Sequence, residues 1–531
     1  MNKKKCISTI LAAALAVSVF AGCKKEEEVV VDLNFGETYP LKTDVTFSYW
    51  AGSGFTPTES YKTFADLPFY KQLYKETGVN VEFIHPVQGS ENDQFNVMIA
   101  SGEYPDIIQH NFMTGFTGGA AKAIEDEIII DTTPYLEKYA PNFSKYVKEN
   151  PKIDKMVKTD EGKYFCFPTI QGDDYLLVYQ GPIVRKDWLD ELGLDIPTTL
   201  DDWEVMLQAF KDKKGATAPL TYLDNIFTMS RIFIGAFGIG TDFYLNDEGE
   251  IEYAYYQPEY KDYLAKMNDW YEKGLLDKNI ASVDDATVTA NMVNDKSGAC
   301  VSNTLGGIGK FMTARKGDGT NFEVVAVPYP TLNKGEKAEF AQRNVEVSGN
   351  GACQISTQCA NKELAVKWLD YGYSEQGALT FNYGIEGESY VKTENGIEYT
   401  DLLLNNPDGK GFQEVLQTYA SPASWGPFIK TGEYMKAAAQ MPQQRESLDI
   451  WMDTNMKKHV VPNLTFSQEV AGEVSALQAE IKTYTDEMRF KFIMGVEPIE
   501  NFDSYIETLK SLGVEEYTNY YREAYEKFQN R

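Results

Sequence analysis

Three short apolar runs constrain the fold more than any other feature of this chain. "VTFSYW" (Val45–Trp50), "VNVEFI" (Val79–Ile84) and "DIIQHN" (Asp106–Asn111) each read as a strand. Between them lie stretches with helical spacing. "FYKQLYKETG" carries an amphipathic helix around Phe69–Glu76 with Gly78 as its stop, and "ENDQFNVMIASGEY" places Phe95, Met98 and Ile99 on one face. Strand–helix–strand–helix–strand alternation specifies an α/β lobe with a mainly parallel sheet, because parallel neighbours need a crossover between them.

The pattern continues downstream. "GKYFCFPTI" and "YLLVYQGPIV" read as strands around a turn, followed by a helix at Lys186–Leu192. In "PTTLDDWEVMLQAFKDK", Thr199 is placed to cap a helix with Asp202 close behind, and Trp203, Met206, Leu207 and Phe210 form its apolar face. "FYLNDEGEIEYAYYQ" alternates on both sides of an Asn-Asp-Glu-Gly turn, the signature of a hairpin. Further helices are expected at Tyr260–Glu272, Lys362–Tyr371, Tyr434–Gln443, Val470–Met494 and Tyr505–Gln529. No Pro- or Gly-rich linker divides the chain. It therefore builds two lobes and crosses between them more than once, which gives a hinge and a cleft. Residues 41–180 are assigned mainly to an N-terminal lobe, 181–345 mainly to a C-terminal lobe, and 346–531 to crossings and helices serving both.

The first residues read as a targeting segment. Lys3, Lys4 and Lys5 precede the apolar run Ile7–Phe20, too short for a comfortable membrane span, and Ala21 and Gly22 lead into Cys23. "AGC" after such a run resembles a bacterial lipobox, although Phe20 stands where Leu is usual. On that reading residues 1–22 are a signal peptide and Cys23 is lipidated. Residues 23–40 then form a charged tether to the extracellular face of the membrane. Ordinary cleavage with a free Cys23 nearby is the alternative. The net charge of −29 repels phosphate backbones, so nucleic acid is excluded as a partner. Cys166, Cys300, Cys353 and Cys359 match no zinc spacing; isolated buried thiols are favoured over bridges.

Several segments resemble one family. "SGEYPDIIQ" (Ser101–Gln109), "VRKDWLDELGLDIPTTLDDWEVMLQAFK" (Val184–Lys211), "WLDYGYSEQG" (Trp368–Gly377) and "NYGIEGESY" (Asn382–Tyr390) are similar to family 1 extracellular solute-binding proteins. Among these, the large oligosaccharide-binding lipoproteins of Gram-positive ABC importers are most alike. The resemblance runs over nearly the whole mature chain. It implies an α/β, two-lobe periplasmic-binding-protein-like fold with a ligand cleft between lobes, and delivery of an oligosaccharide to a membrane permease. A monomer without a cofactor is expected.

A sugar presents hydroxyl edges and apolar C–H faces, so its site needs aromatic plates beside fixed polar groups. Ligands in α/β folds bind beyond the carboxyl ends of strands. Trp50 ends a strand before "AGSG" and is either such a plate or a lobe-core residue. Trp425 in "SPASWGPFI" is flanked by Pro422, Gly426 and Pro427 and so belongs to a loop. Asn111 and His110 lie just past an apolar strand, whereas Asp106 is expected to cap or turn. Glu386 and Tyr390 sit in the Gly-broken "GIEGESY", and Asn303, Arg343 and Asn344 lie near Gly-rich turns. Trp188, Trp203, Trp270 and Trp368 fall on apolar helix faces and are expected in cores; Trp451 is undecided.

Catalytic patterns are absent. No H-E-x-x-H, G-x-S-x-G or Walker A sequence occurs, "GGIGK" lacks the Walker spacing, and the Asn246 turn lacks the EF-hand ligand series. No metal is expected. A secreted glycoside hydrolase, or a receptor of the same fold for peptides or another solute, are the alternatives.

Overall fold

The computed structural model describes residues 31–52, 60–394, 396–408, 410–421 and 425–531. Cys23 and its surroundings lie outside them. Fourteen strands are named in chain order. They are β1 (Thr46–Ala51), β2 (Asn80–Ile84), β3 (Ile107–Gln109), β4 (Phe167–Gln171), β5 (Gln180–Arg185), β6 (Leu220–Tyr222) and β7 (Phe243–Leu245). There follow β8 (Ile251–Tyr253), β9 (Ala299–Asn303), β10 (Val324–Ala326), β11 (Val347–Ile355), β12 (Tyr390–Thr393), β13 (Gly396–Tyr399) and β14 (Ile429–Lys430).

Two sheets define two lobes. The N-terminal sheet has the order β14-β4-β11-β3-β1-β2 and the C-terminal sheet the order β10-β5-β9-β6. Each has its own core. Phe47, Ile107, Phe143, Phe167 and Trp368 belong to one; Trp188, Trp203, Phe210, Trp270 and Trp451 belong to the other. A third, smaller core gathers Leu176, Tyr383, Tyr390, Tyr399, Leu416 and Tyr434. The four tryptophans expected in cores are all buried, and Trp451 joins them. The four cysteines among the described residues are buried and free.

Both sheets are mainly parallel, each with one reversed strand: β11 among β14, β4, β3, β1 and β2, and β5 among β10, β9 and β6. β1 runs parallel to β2 and β3, but β11 is antiparallel to β3 and β4, and β5 is antiparallel to β9 and β10. The cause is the hinge. β3, β4 and β9 end at the side where the lobes meet, whereas β5 and β11 begin there, having just crossed. A strand that enters a lobe from the hinge must run against those that run towards it. For the same reason β4 and β5, expected as neighbours around a turn, belong to different lobes.

The local signals act as their chemistry requires. Thr199 Oγ1 accepts from the Asp202 N–H at 3.1 Å and the Asp202 carboxylate accepts from the Thr199 N–H at 3.1 Å, closing a capping box on the helix Leu200–Lys214. Asp106, expected to cap or turn, instead ties onto strand β1, its Oδ2 accepting from the backbone N–H and hydroxyl of Ser48 at 2.8 and 2.7 Å. Two expected helices are broken. Pro442 starts a new helix after Gly432–Ala438, and Gly513, at φ 88°, separates Phe502–Ser511 from Val514–Asn530. Within the described part of the expected tether, Phe35 lies in the N-terminal core and Tyr39 meets the Tyr371 ring edge-on.

Candidate functional site at the interlobe hinge

The chain crosses between lobes at 172–179 and 342–346, and returns towards the N-terminal lobe along 456–464. These three segments converge on one carboxylate. Asp174 from the first accepts from Arg343 of the second at 2.6 Å and from Lys457 of the third at 3.2 Å. Arg343, expected to bind ligand, is thus spent on the hinge. Asn344 joins the same strut, its N–H donating to the Leu177 carbonyl at 2.9 Å. Nearby, Asp247, Glu339 and His459 bring potential metal-ligand atoms within 4.8 Å of one another. The Lys458 ammonium already lies 2.9 Å from Asp247 and 2.8 Å from Glu339, so this cluster carries its own cation. Those contacts hold the Glu339 carboxyl at about 2, below the usual range, against the opposing effect of burial.

On the N-terminal side, the hinge ends of β4 and β11 are paired, Val347 with Ile170. A bulged stretch of β11 follows, containing Gly349 and Gly351. A Cβ on Gly351 would lie 2.6 Å from Thr169 Oγ1 and 3.1 Å from the Trp425 ring. A Cβ on Gly349 would lie 2.6 Å from Asn111 Oδ1. The two glycines therefore let Asn111 and Trp425 settle side by side against the strand. Thr169 pins the tryptophan loop, donating to the Gly426 carbonyl at 2.7 Å and accepting from its N–H at 2.9 Å. The Trp425 side chain remains half-buried. Asn111 holds its own loop: Oδ1 accepts from the N–H groups of Met113 and Thr114 at 3.0 and 3.1 Å, and Nδ2 donates to Thr114 Oγ1 at 2.9 Å.

On the C-terminal side, Gln180 at the start of β5 pairs with Asn303 at the end of β9. Asn303 leads into a π-helical turn, Thr304–Gly309, a form enriched at functional sites. Gln180 Oε1 and Asn303 Oδ1 are buried without a hydrogen-bond partner. Arg231 closes this edge. It caps the helix Asp224–Ser230 in the left-handed region, φ 58°, a strained backbone for a side chain of its size. Its Nη1 donates to the carbonyls of Met229 and Ala341, at 3.1 and 3.0 Å, which places it against the second crossing.

The remaining expected residues lie elsewhere. Trp50 is a core residue, 4% exposed, packed against Phe95 and His110. A Cβ on Gly52 would meet its ring at 2.5 Å, so Gly52 lies directly against the buried ring. His110 is buried and stacked on Phe95; burial holds it neutral, with its pKa lowered to about 4. Tyr390 is 1% exposed in the third core, and Glu386 is exposed beside it, 3.1 Å from Lys392. Asn111 and Trp425 thus share the glycine stretch of β11, Asn303 lies on the sheet of the other lobe, and Arg343 belongs to the hinge. Gln180 and Arg231 were missed. Their signal was a polar residue inside an apolar run, "LLVYQGPIV" and "FTMSRIFIGAF".

A family model described as bacterial extracellular solute-binding protein matches residues 56–379, more than half of the chain. The chain belongs to this family. It is a binding protein and not an enzyme, as are the relatives it matches. The fructooligosaccharide ABC transporter substrate-binding protein FusA of Streptococcus pneumoniae is 24% identical, with 98% of both chains covered. Among solved structures, the alginate-binding protein AlgQ2 without calcium ion superposes with a TM-score of 0.74 at 20% identity, covering 92% of this chain and all of that one. FusA in complex with kestose superposes with a TM-score of 0.73 at 22% identity, again over 92% of this chain and all of that one. These likenesses establish the two-lobe solute-binding fold.

Proposed function

We propose that this solute-binding protein captures an oligosaccharide in the interlobe cleft and delivers it to the permease of an ABC importer. It acts as a monomer tethered outside the cell through a lipid on Cys23. The observation that carries the reading is that each lobe offers sugar-suited groups: a half-buried Trp425 seated on Gly351 in the N-terminal lobe, and buried, unpartnered amide oxygens of Gln180 and Asn303 in the C-terminal lobe. An aromatic plate suits the C–H face of a sugar ring, and fixed acceptors suit its hydroxyls. The near full-length similarity to FusA supports the same ligand class.

Closure follows from the hinge. A ligand bridging both edges binds the closed state better than the open one and shifts the population towards it. The proposal is tested by calorimetry and thermal shift against a panel of oligosaccharides and peptides. Binding of at least one intact oligosaccharide, with no new reducing ends, is expected. A response to peptides alone would replace it with a peptide receptor. Mass spectrometry of the mature N-terminus tests the anchor: a diacylglyceryl mass on Cys23 is expected, and an unmodified start elsewhere refutes it.

A further inference from the structure

Arg231 differs from the other shielded arginines of this protein. Arg185, Arg315, Arg343, Arg489 and Arg531 each meet a carboxylate within ion-pair distance, from Asp187, Asp318, Asp174, Asp224 and Asp160 respectively. Arg445 and Arg522 are exposed to water. Arg231 is half-buried and makes no ion pair among the described residues. Its contacts are two backbone carbonyls, and its Nε is buried without a partner. Asp242 acts on it electrostatically, but from beyond ion-pair distance. In a chain with 79 acidic residues, a shielded guanidinium without a counter-ion is not a matter of supply.

Placing a cation in protein surroundings costs free energy that an anion and good hydrogen bonds must offset. Two carbonyls offset part of it. The backbone strain at φ 58° adds to what must be held in place. The guanidinium lies against Ala341 beside the second crossing, and the helix that Arg231 caps accepts from Gln180 Nε2 on its Ile226 carbonyl at 3.5 Å. The overall charge of −29 repels anions at long range, so an acidic ligand needs a local cation at this spot.

We infer that the oligosaccharide is acidic, and that Arg231 takes the carboxylate of a uronic acid residue when the lobes close. This rests on the oligosaccharide reading above and narrows it to a class of sugar. A guanidinium matches a carboxylate through two parallel N–H···O bonds, a geometry that neither a hydroxyl nor a lysine reproduces.

Calorimetry on the full mature protein decides the point. The probes are linear oligogalacturonides and the same oligomers with each carboxyl reduced to a primary alcohol. The wild-type protein is expected to bind the uronate at least about tenfold more tightly than the reduced form. In Arg231→Gln that preference is expected to vanish, with affinity for the reduced form kept within about threefold, and Arg231→Lys to restore it only in part. Equal or better binding of the reduced oligomer by the wild type overturns the acidic ligand, and this arm needs no variant to fold. Equal losses on both sugars in Arg231→Gln overturn the role of Arg231. Binding of neutral oligosaccharides such as fructans alone overturns this inference and leaves the oligosaccharide reading standing. Silence towards every sugar overturns both.

Discussion

The two sheet edges that meet at the hinge are built on opposite plans. On the N-terminal edge Asn111 holds its own loop, Thr169 holds Gly426, and the glycines of β11 let Trp425 rest against the strand. On the C-terminal edge Gln180 and Asn303 keep buried oxygens without partners, and Arg231 keeps its charge without a counter-ion. The first edge holds its named side chains in place and presents an aromatic face. On the second, under the function proposed above, a closing ligand supplies the missing partners. A buried polar atom left unmade costs more than a made bond gains, so the second edge favours closure around a ligand that supplies the missing bonds.

The broadest expected effect bears on the N-terminal lobe, because it acts through several groups at once. Its two histidines, His85 and His110, have pKa values lowered to about 4 by burial, below the ordinary 6.5. A base depressed in the folded state binds its proton more readily when unfolded. Stability is therefore full above pH 6.5 and falls as pH drops towards 4. Asp370 in the same lobe opposes this. Burial raises its carboxyl to about 6, so the native state gains from protonation over part of the same window. Two histidines against one carboxyl leave a net loss of stability as pH falls to 4, moderated by solvent screening at the half-buried His85. Hydrogen exchange at pH 7 and pH 4 should show the N-terminal lobe deprotected before the C-terminal one; uniform loss in both lobes rejects this difference.

Next comes the plate. Trp425→Ala should weaken oligosaccharide binding by about 2–3 kcal/mol at unchanged melting temperature, because the ring is half-buried and anchors few core contacts. Trp50→Ala should do the reverse, costing about 3–5 kcal/mol of stability as a buried core truncation. Calorimetry and thermal unfolding on both variants separate the roles, and matching profiles would erase the distinction between them. Asn303→Ala removes one unpartnered acceptor from the C-terminal edge and should cost about 1 kcal/mol of binding with a small gain in unliganded stability. A loss of stability would mean that the edge is satisfied by itself.

The contrast between Trp50 and Trp425 also shows what the sequence discloses. Strand and helix placement follows from spacing and caps, as at Thr199, Gly78 and the 243–253 hairpin, since these are decided within a few residues. The direction of β5 and β11 is decided by where the chain crosses, a long-range matter, and these two strands alone run against otherwise parallel sheets. Pro422, Gly426 and Pro427 exclude Trp425 from regular structure by local chemistry alone, and it lies at the hinge edge. Trp50 looked equally placed beside "AGSG", but Phe95 and His110 close over it from other elements. Arg343 is a polar residue near a Gly-rich turn, and only the fold shows that Asp174 claims it.

The hinge knot gives the smallest effect and the finest test. Asp174 ties three crossings, yet its side chain is 47% exposed, and burial works against the lowering of its pKa by Arg343 and Lys457. Exposed ion pairs contribute about 0–1 kcal/mol and are screened by salt. Asp174→Asn keeps the size and one hydrogen bond to Arg343 while removing the charge that draws Lys457. Because the knot joins the crossings themselves and neither edge, its loss should leave the wild-type contacts to ligand intact. Affinity should then change by less than about fivefold, and the difference should shrink further at high salt. Small-angle scattering with and without ligand would report the open and closed populations directly. A change of a hundredfold, or one indifferent to salt, would mean that the knot sets the equilibrium between them. Closure would then be driven from the hinge, and the unpartnered groups of the C-terminal edge would no longer be needed to explain it.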